Sequence, residues 1–126
     1  MNKYRDKSDF EINKAVAKYY LPCDYRYNEN DKIVELIGID LSCEFGSCID
    51  IEKERVYGKF DPCNNPADAM PIIIENGIGL LPYKKSPPLA FDLKKGLGFG
   101  ILVENENIYR AAMEVFLMMK EAENES

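Results

Sequence analysis

Asp61-Pro62-Cys63-Asn64-Asn65-Pro66-Ala67-Asp68-Ala69-Met70-Pro71-Ile72-Ile73-Ile74 holds a helix start, a doubled asparagine and a dense apolar run in one short stretch. Asn65 suits an N-cap, because its side-chain oxygen can accept from an early helical amide, and Pro66 suits the first helical position, where a missing N–H costs nothing. Asp68 then faces the positive helix end. Pro71 leaves two readings open, since an interior proline loses a hydrogen bond and clashes with the preceding turn. Either a short first turn yields to a second helix, or Asp68 is the cap and Pro71 falls in its first turn. Both end at Asn76-Gly77, a left-handed stop, so a helix over 66–76 is expected.

Upstream, Ser8-Asp9-Phe10-Glu11 reads as a capping box, and Ile12, Ala15, Val16 and Tyr19 follow at helical spacing before Pro22. An amphipathic helix over 9–20 follows, with Glu11, Asn13, Lys14 and Lys18 turned to solvent. Residues 24–31 are polar and turn-rich. They lead into a strand over 32–41, and two further strands are expected at 48–52 and 55–60, the first joined through a hairpin at 44–47. Downstream, 78–81 and 89–93 read as short strands around a proline-rich loop, and 101–103 as another. Asn107 caps a last helix over 108–122, whose face is Ile108, Ala111, Ala112, Val115, Phe116, Met119 and Ala122. Met113, Leu117 and Met118 widen that face, which makes the helix either the central core element or part of a homodimer seam. Residues 121–126 are expected to fray.

These elements give an α+β fold, with about three helices packed on a mainly antiparallel sheet, as a single domain over 1–126. The chain has 46% hydrophobic and 30% charged residues, an ordinary folded composition, and a net charge of -6 that repels phosphate backbones and anionic membranes at long range. Residues 1–10 lack the apolar core of a secretory signal, and the apolar run at 111–119, broken by Glu114, falls short of the about 20 residues of a bilayer span. The expected setting is cytoplasmic, without a membrane. There the four cysteines, Cys23, Cys43, Cys48 and Cys63, are expected as thiols. Only Cys43 and Cys48 lie near each other and histidine is absent, so neither a metal nor a cofactor is expected.

Three blocks carry a resemblance: Ser8-Asp9-Phe10-Glu11-Ile12-Asn13-Lys14-Ala15-Val16-Ala17, then Cys63-Asn64-Asn65-Pro66-Ala67-Asp68-Ala69-Met70-Pro71-Ile72-Ile73, then Arg110-Ala111-Ala112-Met113-Glu114-Val115-Phe116-Leu117-Met118-Met119. In these the chain resembles the NinX-like phage proteins. The resemblance implies a bacterial setting and a place in phage biology, and no established activity. The chain departs from the pattern in having no tryptophan, with Met70 and Phe91 in the comparable places, and in reading Asn107-Ile108-Tyr109-Arg110 before the last helix.

Without histidine, Ser-His-Asp and Cys-His chemistry is excluded. Cys63 is the best placed reactive group, since a nearby helix start can lower a thiol pKa. Asn64, Asn65 and Asp68 could form a small polar binding site with it, although capping needs the same residue types. Gly96 to Gly100 has the wrong spacing for a dinucleotide fingerprint. Lys84, Lys85, Lys94 and Lys95, with Tyr83 and Phe91, form the mixture that holds a single strand by charge and stacking, though paired lysines also protect sheet edges. The expected function is that of a non-enzymatic phage accessory protein that binds a host or phage protein. The alternative is a nucleic-acid-associated factor in phage recombination or replication.

Overall fold

The structure, a computed structural model, describes residues 2–40, 53–96 and 100–125. Its elements run α1 (Asp9–Tyr20), β1 (Tyr25–Asn28), β2 (Ile33–Asp40), β3 (Lys53–Phe60), α2 (Pro66–Asn76), β4 (Ile78–Leu81), β5 (Leu89–Asp92), β6 (Leu102–Glu104) and α3 (Ile108–Glu125). The strands make two antiparallel sheets, ordered β1-β2-β3 and β4-β5-β6. The α+β class holds, with two sheets in place of one. The hairpin at 44–47, the strand at 48–52, Cys43, Cys48 and residues 97–99 lie outside the described residues.

Cap chemistry sets the helix limits. Ser8 Oγ accepts from the Glu11 amide at 3.2 Å, while the Glu11 carboxylate meets Lys7 Nζ at 3.5 Å. Asn65 is the true cap of α2, its Oδ1 accepting from the Ala67 amide at 3.0 Å, and Gly77 closes the helix with φ 65°. Pro71 is accommodated inside this helix. It and Ala67 are both exposed, so the Ala67 carbonyl that Pro71 cannot serve lies on the wet side.

The first sheet begins with β1, which the polar look of residues 24–31 conceals. Tyr25 and Tyr27 alternate onto one face, with ring centroids 5.8 Å apart, and pair in register with Leu36 and Val34 of β2. In the second sheet the Phe91 ring covers Gly79 so closely that a Cβ there would sit 2.4 Å from it, which is why glycine occupies that strand position.

Helix α3 is the central element. It packs against β4, β5 and β6 on one side and α1 and α2 on the other, and every residue from 110 to 117 is buried. Of its surplus apolar positions, Met113 and Leu117 are interior and Met118 is half-buried against the core. The helix runs to Glu125, into the residues expected to fray. What holds this end is the N-terminal strap, residues 2–8: Lys3 Nζ and the Tyr4 hydroxyl both reach the Glu121 carboxylate.

Burial works against the Glu121 charge, but the hydrogen bonds from Lys3 and Tyr4 more than offset it, so the carboxyl titrates below its ordinary 4.5. A carboxyl with a depressed folded pKa adds stability that is complete above its unfolded pKa and is lost as the pH falls through the folded one. Wild type should therefore exceed Glu121→Gln in urea midpoint at pH 7, and the two curves should converge below pH 4.5. A constant gap from neutral to acid pH would refute the coupling.

Candidate functional site

The doubled asparagine lies where the starts of all three helices meet. Asn64 Nδ2 donates to Asp9 Oδ2 at 3.2 Å and to Asp61 Oδ1 at 3.2 Å, and its Oδ1 accepts from Asn107 Nδ2 at 3.2 Å. Asn107 Nδ2 also donates to the Cys63 carbonyl at 2.6 Å, while Asn107 Oδ1 caps α3 by accepting from the amides of Tyr109 at 3.0 Å and Arg110 at 3.3 Å. One asparagine thus starts a helix and ties it to the turn before another.

Asn13, expected at the surface, is buried in this joint. Its Nδ2 donates to Asp61 Oδ1 at 2.7 Å and its Oδ1 accepts from the Cys63 amide at 3.2 Å, so it satisfies a turn that would otherwise bury an unpaired N–H. Asp68 reaches the same turn from α2, its Oδ2 accepting from the Asp61 amide at 2.9 Å and from Asn65 Nδ2 at 3.3 Å. The cleft beside Asp9, Asn13, Asp61 and Asn64 holds about 70 Å³, room for a water or two and too little for a metabolite.

Cys63 is buried, with Sγ 3.8 Å from the Asp9 carbonyl. Burial first, and then the Asp9 carboxylate, push its thiol pKa above the ordinary value. The nearby helix start does not reverse this, so the geometry opposes a thiolate nucleophile. Cys23 is an exposed free thiol. Among the described residues no three Cys, Asp or Glu side chains gather as a metal-ligand group.

Arg110 completes the joint and carries a role that helical periodicity does not reveal. It is 8% exposed, with Nη1 2.7 Å from Asp9 Oδ1, Nε 3.1 Å from Glu114 Oε2 and Nη2 donating to the Tyr4 carbonyl at 3.1 Å and to that of Lys7. Burial works against the guanidinium charge, but the bonds to Asp9 and Glu114 outweigh it and raise the pKa. Glu114, 1% exposed, also accepts from Asn2 Nδ2 at 2.7 Å. The available signal was the i,i+4 spacing of an arginine and a glutamate within an otherwise apolar run.

The four lysines fall in two pairs, one beyond each end of β5. Tyr83, Lys84 and Lys85 border an open groove of about 370 Å³ with Pro87, Pro88 and Glu106, beyond the Leu89 end of β5. Lys94 and Lys95 follow its Asp92 end, where the Lys94 amide donates to Asp92 Oδ1 at 3.1 Å. The strand alone separates the pairs by about 10 Å, at roughly 3.3 Å per residue. Phe91, the aromatic proposed to stack there, lies over Gly79.

A family model described as bacteriophage P22, NinX matches residues 3–120. No curated protein and no solved structure matches the chain. The match spans the strap from Lys3 onward, the joint and all but the end of α3.

Proposed function

The chain belongs to the bacteriophage P22 NinX family and is a phage accessory protein; we propose that it acts by binding another protein, of host or phage, in the bacterial cytoplasm. The observation that carries this reading is the corner at Gly77. There Ile74, 71% exposed, and Leu93, 58% exposed, the two most exposed large aliphatic side chains among the described residues, lie on segments tied near Gly77 by one hydrogen bond, Leu93 N to the Gly77 carbonyl at 2.9 Å. Glu75, Lys94 and Lys95 adjoin them in sequence, so exposed apolar and charged residues occur together, as they do in protein interfaces. The joint around Asn64, Asn65 and Asp68 supports the same reading, because its polar groups serve one another and the helix starts. A different protein fits better than a second copy through α3, whose apolar residues up to Leu117 already face the core. No helix of the described residues is long and apolar enough to cross a membrane.

Affinity capture from phage-infected cells tests this, comparing wild type with the paired substitution Ile74→Glu and Leu93→Glu. Both positions are exposed, so each change should alter stability by about 0.5 kcal/mol or less. A protein retained at stoichiometric yield by wild type and lost by the variant is the expected result. Identical capture by both, or none by either, overturns the reading.

A further inference from the structure

A groove of about 750 Å³ runs between α1 and the β1–β2 hairpin, and its lining differs in charge from the rest of the molecule. Lys7, Lys14, Lys18 and Lys32 line it with Phe10 and Tyr27. Lys14 Nζ lies 4.8 Å from the Phe10 ring centroid and 5.1 Å from that of Tyr27, and Lys32 Nζ lies 5.6 Å from Phe10. The two rings meet edge to face at 6.5 Å, and Tyr27 stays 40% exposed. Lys32 holds φ 57°, a left-handed value that glycine or asparagine takes more readily, so a lysine here gives up some backbone ease.

The carboxylates in this groove are already engaged. Glu11 pairs with Lys7 and Glu29 with Lys14, each at 3.5 Å, and Asp9 is held by Arg110. Lys18 and Lys32 have no carboxylate partner among the described residues, which leaves a cationic surplus on a chain of net charge -6. A second groove, of about 800 Å³ on the other side of the strap, carries the opposite sign, with Asp6, Glu104, Glu106 and Glu114 against Arg5. Positive charge and exposed aromatic surface thus coincide on one side.

We infer that the α1–β1 groove binds single-stranded nucleic acid, with Lys18 and Lys32 along the phosphates and a base stacked on Tyr27. Cationic side chains beside an exposed ring match a strand with a charged backbone and unpaired bases. A duplex keeps its bases stacked on one another and offers Tyr27 no face. An acidic peptide would use the lysines and leave the ring without a role. This binding is separate from the corner at Gly77, and either can fail alone.

Fluorescence anisotropy with labelled fifteen-nucleotide oligo-dT and oligo-rU tests the inference on the whole chain. Affinity should fall about sevenfold between 50 and 200 mM salt if roughly two phosphates are neutralised. Lys18→Glu with Lys32→Glu should abolish retention at the higher salt. Tyr27→Ala should weaken binding at least about fivefold with the salt slope unchanged, because stacking is independent of counterions. Lys84→Glu with Lys85→Glu, and the Ile74 and Leu93 variant, should leave affinity unaltered. Circular dichroism checks that each variant is folded, and Lys18→Glu alone, at an exposed helix position, supplies a variant that leaves the Phe10 contacts intact. Preference for dT or rU identifies the strand type. Absence of retention at 50 mM salt, equal affinity for the duplex, equal competition by polyglutamate, or indifference to the Lys18, Lys32 and Tyr27 changes overturns the inference.

Discussion

Arg110→Ala should lower unfolding free energy by about 3–5 kcal/mol, since removing one member of a buried ion pair leaves the other charge uncompensated. Glu114 is the charge left behind, 1% exposed, with Asn2 Nδ2 as its remaining donor. The strap loses the bonds that its Tyr4 and Lys7 carbonyls accept in the same step. Against a typical total of about 5–15 kcal/mol, such a loss leaves a marginal protein. Arg110→Lys should recover little, because one ammonium cannot reproduce the planar fork that reaches two carboxylates and several carbonyls at once. The double substitution Arg110→Leu with Glu114→Leu should recover a large part of the loss, because it removes both buried charges together. Urea denaturation of these variants decides the matter. A single alanine variant within about 1 kcal/mol of wild type would show that the ion cluster is not fastening the strap, given the penalty for an unpaired buried charge.

Phe116→Ala should cost about 3–5 kcal/mol, the range for emptying a buried aromatic site. The ring is fully enclosed on the central helix and meets Tyr20 edge to face at 6.4 Å with an interplanar angle of 85°. Losing that arrangement adds about 0.5–1.5 kcal/mol beyond the area term. Phe116→Leu should cost less, since it retains most of the apolar contact while giving up the ring pairing. Thermal unfolding monitored by calorimetry separates the two. If alanine and leucine gave the same small shift, α3 would not be the closely packed centre described above.

What could be read beforehand was the chemistry of short range. Ser8, Asn65 and Asn107 are caps in the structure as in the sequence, and Gly77 has the left-handed stop its position predicts. Each depends on neighbours within a few residues, so the sequence window contains the whole cause. Strand β1 escaped because the alternating polar residues Arg26 and Asn28 mask a Tyr-x-Tyr alternation, and the pairing with β2 that fixes it as a strand lies several residues away. Asn13 and Arg110 escaped for a stronger reason. Asn13 is buried by a turn far downstream, and Arg110 bonds to residues more than a hundred positions before it. Helical periodicity says which residues share a face, not which polar group on a distant element will neutralise them. The paired lysines were legible as charges, but their separation along β5 depends on the hairpin register.

The central place of α3 has a consequence for how the chain acquires its shape. A ribosome releases α1, both sheets and α2 before the helix against which α1, α2, β4, β5 and β6 are packed. Those earlier pieces must emerge with uncovered apolar flanks, and the clasp around Arg110 cannot shut until its guanidinium leaves the exit tunnel. Closure of the core therefore waits for α3, joining distant parts of the polypeptide in one step, and the nascent protein is most exposed to holdases and proteases just before that step.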